Sequence, residues 1–464
     1  MAAFLTHNLQ NLLFLRFSHA FALDAQVCPA LKVVAALLPP RTKAKHLNIT
    51  YHIVYKLNDF LAKMVEKLFE RRLVNRLLPY LGSGECVVIY GSRQVGKTTL
   101  LKYIIKHHIK ENAFYLDLEF QSLLELCNKG AEAVYSYLTQ KGADEKRRIY
   151  LIIDEVQYLK NPTAFIKIFH DHYENVKLVV SGSSAFEIKK KFKQSLAGRI
   201  VAFELYPLSF EEFLIFKEKD YRLKAENSEI INDELVALAG EYIKFGGYPG
   251  IVLEGSEEKK QAYLAQIINT YVRKDIRDAG NIRNISSFNN LLEVLASQTG
   301  QLLNVSELSN TLGMSRVTVL EYLDLLEHTF IIKLIRPFHK NLRNELSKNP
   351  KIFFMDTGIV HLLWLKEFPK TVLGNVFETF VFLELMRTGK KINFWRTTNK
   401  QEVDFIISNK MLYAIEAKLN FNQSGRKHLR FFSEKYECQT RTVGLNGGKK
   451  GKYVWELVKE LAAE

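Results

Sequence analysis

Glu85-Cys-Val-Val-Ile-Tyr90 runs into Gly91-Ser92-Arg93-Gln94-Val95-Gly96-Lys97-Thr98, and Thr99-Leu-Leu101 follows. The apolar run after Glu85 is rich in β-branched residues, which predicts a buried strand. The chain then breaks into a loop bounded by two glycines and restarts with helical periodicity at Thr98. Strand, loop and helix in that order make a cradle for a triphosphate. Gly91 and Gly96 allow a tight turn, so that successive N–H groups and the helix N-terminus face phosphate oxygens. Lys97 is spaced to reach the β- and γ-phosphates, and the Thr98 hydroxyl to ligate Mg²⁺. The bland alternative, a chance Gly-Lys-Thr in an ordinary turn, does not account for eight residues correctly placed between strand and helix. Residues Gly91, Ser92, Arg93, Gln94, Val95, Gly96, Lys97, Thr98 and Thr99 are therefore the candidate site for ATP or GTP.

Four further strands are expected. Ala113–Leu118 is the second. Arg147-Arg-Ile-Tyr-Leu-Ile-Ile-Asp154-Glu155 is the third and ends in two acids. There Asp154 would hold the Mg²⁺ shell, and Glu155 would polarise the water attacking the γ-phosphorus. Val176–Val180 is the fourth, followed by Ser181-Gly-Ser183-Ser184. Ser181, in preference to Ser183, is the candidate γ-phosphate sensor, against an ordinary Ser-Gly turn. Ile200–Leu205 is the fifth. Just before it, Arg199 is a candidate arginine finger for a neighbouring subunit's ATP. The alternative is an arginine tied to its own backbone or to surface carboxylates. The lysine run in Glu187–Lys193 reads as a solvated helix face.

This order of phosphate loop, Asp-Glu pair, polar sensor and basic residue resembles the AAA+ branch of P-loop ATPases. Gly91–Thr99, Asp154-Glu155-Val-Gln157, Ser181-Gly-Ser-Ser184, Leu205-Tyr-Pro-Leu-Ser-Phe-Glu-Glu-Phe213 and Gly246-Gly-Tyr-Pro249 are together similar to one prokaryotic family of AAA ATPases carrying a C-terminal domain of unknown function. The resemblance covers nearly everything from Met64 onward, and implies an ATP- and Mg²⁺-dependent hydrolase.

The expected organisation is α/β. An N-terminal extension (1–63), poorly structured, precedes a P-loop AAA+ core (64–215) and a helical lid (216–280). Arg273, Lys274 or Arg277 of the lid would reach nucleotide. A winged helix-turn-helix module follows (281–372), built from helices Ser287–Ser297, Val305–Leu312 and Arg316–Glu327 and a wing of Phe330–Ile335 with Lys351–Phe354. Its third helix offers Arg316 against Glu321, Asp324 and Glu327, a poor match to a groove of phosphates. The bases lie in the wing: Lys333, Arg336, His339, Lys340, Arg343, Lys348 and Lys351. A structural or protein-contact module is favoured, with non-specific DNA or RNA contact by the wing.

Residues 373–464 resemble restriction-endonuclease-like proteins: Glu378 on a helix, Glu402-Val-Asp404 on one strand, Glu416-Ala-Lys418 on the next. A three-residue turn, Ser408–Lys410, would pair Ile407 with Met411, Phe405 with Tyr413 and Val403 with Ile415. That gives one apolar face and gathers Glu402, Asp404, Glu416 and Lys418 on the other. Asp404 and Glu416 would hold Mg²⁺, Lys418 would orient water and Glu378 would support them. The competing expectation is an inert fold that uses these residues as a buried salt-bridge cluster, in an ATP-dependent switch or scaffold with protein partners.

Composition bounds these readings. The net charge is +15, and ten of those charges come from residues 1–63 and 410–464. Cys28, Cys86, Cys127 and Cys438 are scattered, which argues against zinc and disulfides and suits a reducing, cytoplasmic setting. No apolar run reaches the length of a membrane span, so no membrane partner is expected, and a homo-oligomer is. A secretory reading of Leu12–Leu23, with Ala20-Phe-Ala22, lacks a preceding basic residue.

Overall fold

The computed structural model describes residues 68–182, 196–270, 282, 284–339, 348–408, 410–422, 426–446 and 451–463. Helix α1 (Leu73–Leu81) leads into strand β1 (Cys86–Gly91), and α2 (Lys97–Ile104) starts after the loop, widening into a π-turn at Ile105–Ile109. Then come β2 (Ala113–Asp117), α3 (Gln121–Asn128), α4 (Ala131–Gln140), β3 (Ile149–Asp154), α5 (Pro162–His172), β4 (Val176–Gly182) and β5 (Ile200–Leu205). The five strands are parallel, in the order β2-β3-β4-β1-β5. Strands β1 and β4 are buried at every position, as unalternating apolar runs must be in a sheet covered on both faces. Loop 91–96, Asp154 and Ser181 therefore share the C-terminal edge of the sheet, the edge at which open α/β sheets bind ligands.

Helix α6 (Phe210–Phe216) starts with a capping box. Ser209 Oγ accepts from Glu212 N, and the Glu212 carboxylate accepts from Ser209 N. Such a cap stabilises a helix start by about 1 kcal/mol. Helices α7 (Glu229–Phe245), α8 (Pro249–Leu253) and α9 (Glu257–Thr270) follow. Next are α10 (Ile285–Ser297), α11 (Val305–Leu312) and α12 (Arg316–His328). Gly313 ends α11 at φ +62°, and the Ser315 hydroxyl accepts from Thr318 N to start α12. Strands β6 (Ile332–Ile335) and β7 (Lys351–Phe354) then form an antiparallel ribbon, followed by α13 (Thr357–Trp364).

The C-terminal part contains α14 (Gly374–Met386), β8 (Lys391–Arg396), β9 (Glu402–Ser408), β10 (Leu412–Asn420), α15 (Arg426–Lys435), β11 (Gln439–Asn446) and α16 (Val454–Ala463). Its sheet order is β11-β10-β9-β8, with only β10 and β11 parallel. The hairpin register differs from the sequence expectation. Ser408 pairs with Leu412, Ile407 with Tyr413 and Phe405 with Ile415, so every expected pairing is displaced by two residues. From Phe405 onward the alternation is preserved because the displacement is even, whereas Val403, expected on the same face, packs with Ile406 and Ala414 beside a register irregularity against β8. Strand β10 starts only at Leu412, which leaves Met411 44% exposed rather than on the apolar face. Phe405, Ile407, Tyr413 and Ile415 join the large core, while Ile406 and Ala414 pack with Leu429 and Phe432 of α15.

Phe69–Glu464 form one compact unit; the other unit, Met1–Leu68, lies outside the described residues apart from Leu68. The largest apolar core among the described residues runs from Leu73 of α1 to Leu461 of α16, and a second packs Val88, Ile153 and Val180 of the parallel sheet against Phe165 and Phe169 of α5. At its centre Phe210 of α6 meets Tyr242 of α7, Phe380 of α14 and Trp455 of α16, with ring centroids 5.3–6.0 Å apart. Several expectations lie outside the described residues: the extension 1–63, Ser183, the Lys189–Lys193 run, Arg273, Lys274, Arg277, Lys340 and Arg343.

Candidate nucleotide site and a C-terminal charge cluster

The two loop glycines serve different needs. Gly96 has φ +93°, a conformation costly for any residue with a Cβ. Gly91 pairs with Leu205 of β5, and a Cβ on it would fall 2.1 Å from the Leu205 carbonyl oxygen. Close packing against β5 therefore requires the first glycine. Lys97 opens α2, is 5% exposed, and donates from Nζ to the carbonyls of Gly91 (3.2 Å) and Ser92 (3.0 Å). Its ammonium thus closes on the loop's own oxygens, at the mouth of the N–H cradle. Ser92 is buried with its hydroxyl 3.3 Å from Tyr248 Oη, while Gln94, at φ +62°, is exposed.

Asp154 ends β3 almost fully buried and accepts four donors. Thr98 Oγ1 (2.6 Å) and Tyr115 Oη (2.9 Å) donate to Oδ2, and Ser181 Oγ and Glu155 N (3.1 Å) to Oδ1. Hydroxyl and carboxylate at hydrogen-bond distance are the donor set of a P-loop Mg²⁺ site, so Thr98 and Asp154 fit that ion. Ser181, the expected sensor, is fully buried, and its hydroxyl donates to Asp154. Tyr115 was missed by sequence reasoning; its signal was strand alternation, which places it on the same face as Asp117, the register partner of Asp154. Burial, followed by the Asp154 charge, pushes the Tyr115 hydroxyl up, so it stays a donor.

Glu155 takes up φ +57°, ψ +46°, unusual for a side chain of its size, and its carboxylate accepts from Gln157 Nε2. Arg199 lies away from this group: Nε and Nη2 bind Asp171 at 2.8 and 3.1 Å, and Asp171 is held below the ordinary carboxylate range chiefly by that hydrogen bond. A cavity of about 290 Å³ beside the loop is lined by Gln94, Tyr248, Gly250, Ile251, Tyr263, Gln266 and Ile267.

Arg71 gave no motif signal. Its buried guanidinium donates to Val95 O of the phosphate loop (2.8 Å), Tyr206 O (2.8 Å) and the Glu212 carboxylate (2.9 Å). Contacts continue from α6 into α14: Phe210 N donates to Glu384 Oε1 (3.0 Å), and Arg387 Nη2 to Pro207 O (3.0 Å).

In the C-terminal part, Asp404, Glu416, Lys418 and Glu378 come together. Lys418 Nζ lies 2.6 Å from Glu416 and 3.8 Å from Asp404, whose Oδ2 accepts from Ala417 N at 2.8 Å. Lys351 joins them and corrects the reading of it as a ribbon base. It is 2% exposed, with Nζ 2.6 Å from Glu402, 3.0 Å from Glu378 and 3.9 Å from Asp404. Burial opposes its charge, but the three carboxylates hold its pKa above the ordinary lysine value. Burial pushes Glu378 and Glu416 up. Among the described residues no three acidic, histidine or cysteine side chains are grouped to hold a metal. The acids close on two ammonium groups, so this donor set does not fit a divalent cation as arranged.

A parallel sheet with the phosphate loop, Asp154 and Glu155 at its C-terminal edge defines an AAA-type P-loop ATPase, and the AAA domain family matches residues 83–214. Two domains of unknown function, DUF8612 and DUF4143, match residues 237–370 and 373–457. An uncharacterized protein of Haemophilus influenzae is 30% identical over 344 residues, covering 72% of this chain and 82% of that one. This chain belongs to the same family as that protein. An uncharacterized protein of Methanocaldococcus jannaschii is 29% identical over 373 residues, 78% of this chain and 80% of the other. Among solved structures, a Walker-type ATPase of Pyrococcus abyssi aligns with a TM-score of 0.42 at 14% identity, over 64% of this chain and 95% of that one.

Proposed function

We propose that the protein is an ATP- and Mg²⁺-dependent switch, in which hydrolysis at the phosphate loop resets the contacts of the C-terminal domain. Lys97 exchanges the Gly91 and Ser92 carbonyls for the β- and γ-phosphates. Thr98 and Asp154 hold Mg²⁺, which supplies neutralisation of the developing phosphate charge. Glu155 leaves Gln157 and polarises the attacking water. Arg199 could serve a neighbouring subunit of a homo-oligomer only by leaving Asp171.

The observation that carries the switch is Arg71, which binds the loop carbonyl of Val95 and the capping carboxylate of Glu212 at once. A loop displaced by nucleotide would pull on α6, and through Phe210 and Glu384 on α14. In this reading α10–α12 with the β6–β7 ribbon form a winged-helix module that contacts protein. The exposed face of α12 presents Val317, Leu320, Glu321 and Asp324, an acidic and apolar surface poorly suited to phosphates. Trp364, Trp395 and Trp455, the three tryptophans, all lie in or beside the C-terminal part. Adding ATP to Glu155→Gln should change their fluorescence. Arg71→Met, made in that background, should bind ATP without the change. Fluorescence that ignores ATP in Glu155→Gln with nucleotide bound would sink the switch.

A second reading, phosphodiester hydrolysis by a restriction-endonuclease-like domain, is favoured by the meeting of Asp404, Glu416 and Lys418. It requires that the wild-type protein cut DNA or RNA with Mg²⁺ or Mn²⁺ and that Asp404→Ala abolish the cutting. It also expects nucleic acid to stimulate ATP hydrolysis; a flat response at low salt favours the switch.

A further inference from the structure

The β6–β7 ribbon is built into the C-terminal domain. Beyond β6, Arg336 and Pro337 run beside the edge strand β8: Phe394 N donates to Arg336 O (3.2 Å), Asn393 Nδ2 to the same oxygen (3.0 Å), and Phe338 N to Phe394 O. Beside Lys351, Ile352 and Phe353 are fully buried, and Phe353 stacks on Phe382 of α14 at 4.4 Å. The backbone that carries Lys351 is thus fixed by apolar packing, and its ammonium is fixed among Glu378, Glu402 and Asp404.

Charge matching shows what the position is worth. Four carboxylates gather here: Glu378, Glu402, Asp404 and Glu416. Three cations face them: Lys351, Lys418 and Arg396, the last bound to Glu402 at 2.7 Å. Formally one negative charge remains, too little to draw a divalent ion out of water. Without Lys351 the deficit would be two, which one divalent cation neutralises. A second observation also points to a missing ligand. Glu416 is 3% exposed, and among the described residues its Oε2 has no hydrogen-bond partner.

We propose that Lys351 is a tethered cation that takes the place of a divalent metal in the acid cluster of the C-terminal domain. This rests on the reading of that domain as inert, and it identifies the residue responsible. Replacing Lys351 by an apolar side chain of similar length should open a site for one hard divalent ion, held by carboxylates.

The test uses the nucleotide-free full chain and Mn²⁺, followed by titration calorimetry and thermal unfolding. Wild-type protein should show no Mn²⁺ uptake that Asp404→Asn removes, and no cluster-dependent rise in Tm. Lys351→Met should melt roughly 5–10 °C lower, because it strands buried carboxylates, and Mn²⁺ should restore most of the loss with one added equivalent bound. Adding Asp404→Asn to Lys351→Met should abolish both uptake and restoration. If Lys351→Met does not fold, Lys351→Gln keeps the deficit of two, leaves an amide donor among the stranded carboxylates, and is judged by the same readouts. Mn²⁺ uptake by the wild type that Asp404→Asn removes would overturn the proposal. So would a folded Lys351 variant that gains no Mn²⁺. Cleavage of nucleic acid by the wild type is a separate readout; it would defeat the inert reading, whereas failure of Mn²⁺ uptake in the variant defeats only the role of Lys351.

Discussion

Asp154 shows how much of a candidate catalytic site consists of holding one side chain still. Four donors fix both its oxygens, and the Ser181 hydroxyl is the contribution that can be removed with least disturbance. If Ser181 orients a metal-holding carboxylate, Ser181→Ala should raise the Mg²⁺ concentration needed for half-maximal ATPase rate by roughly 10-fold or more, the usual cost of losing an outer partner. A residue acting on the γ-phosphate would instead lower kcat at saturating Mg²⁺ and leave the Mg²⁺ dependence unchanged. The two outcomes separate in a Mg²⁺ titration of steady-state hydrolysis. Lys97→Ala should abolish nucleotide binding outright, and Glu155→Gln should bind ATP and retain it. Robust turnover by Glu155→Gln would remove Glu155 as the group acting on water.

Between elements, the most exacting junction is Gly246-Gly247 against Asp356. Gly246 has φ +83°, and a Cβ there would sit 2.2 Å from Asp356 Oδ1; Gly247 N donates to Asp356 Oδ2 at 2.7 Å. Asp356 also caps α13 through Ile359 N. Burial pushes this carboxyl up to about 6, although the backbone donors pull the other way. A carboxyl raised above its unfolded value binds its proton more tightly when folded, so its contribution is full below about pH 4 and lost as pH rises through 6. The wild type should therefore lose roughly 3 kcal/mol relative to Asp356→Asn between pH 4 and pH 8. Urea unfolding of both at several pH values checks this; parallel profiles would contradict it. Local chemistry explains what could be read in advance. The five strands of the first sheet, the phosphate loop, and the helix stop and start at Gly313 and Ser315 all follow from runs, glycines and caps within a few residues. The shared face of Phe405, Ile407, Tyr413 and Ile415 was legible by parity, but the register was not, since two registers of equal parity both keep those four together. Arg71 and Lys351 were invisible as site residues for another reason. Arg71 meets Glu212 across 141 positions, and Lys351 sits in a stretch whose other bases suggest a solvated ribbon. Burial of a lone cation is decided by tertiary packing, which no spacing rule encodes.

At the scale of the molecule, the expected chain of separate modules meets a core shared by all of them. Phe210 and Tyr242 on one side and Phe380 and Trp455 on the other bury one another. Asn232 of α7 accepts from Trp455 Nε1 (2.9 Å) and donates to Glu456 (3.1 Å), and Lys459 reaches Glu211 at 2.7 Å. Modules joined in this way should unfold together, because separating them would expose large aromatic surfaces to water. Binding to the native state alone stabilises whatever unfolds cooperatively with the site, by about 2.7 kcal/mol at a ligand concentration 100 times Kd. The tryptophans at 364, 395 and 455 report the C-terminal part, whereas the proposed ATP site is residues 91–99. A saturating non-hydrolysable ATP analogue with Mg²⁺ should therefore raise the Tm read by tryptophan fluorescence by a few degrees, and Lys97→Ala should erase that rise. Independent domains would give a different result: a tryptophan transition indifferent to nucleotide, and a second, nucleotide-sensitive transition in the far-ultraviolet signal. One transition that moves with nucleotide would show that the phosphate loop and the C-terminal charge cluster, although far apart in sequence, are stabilised as one body.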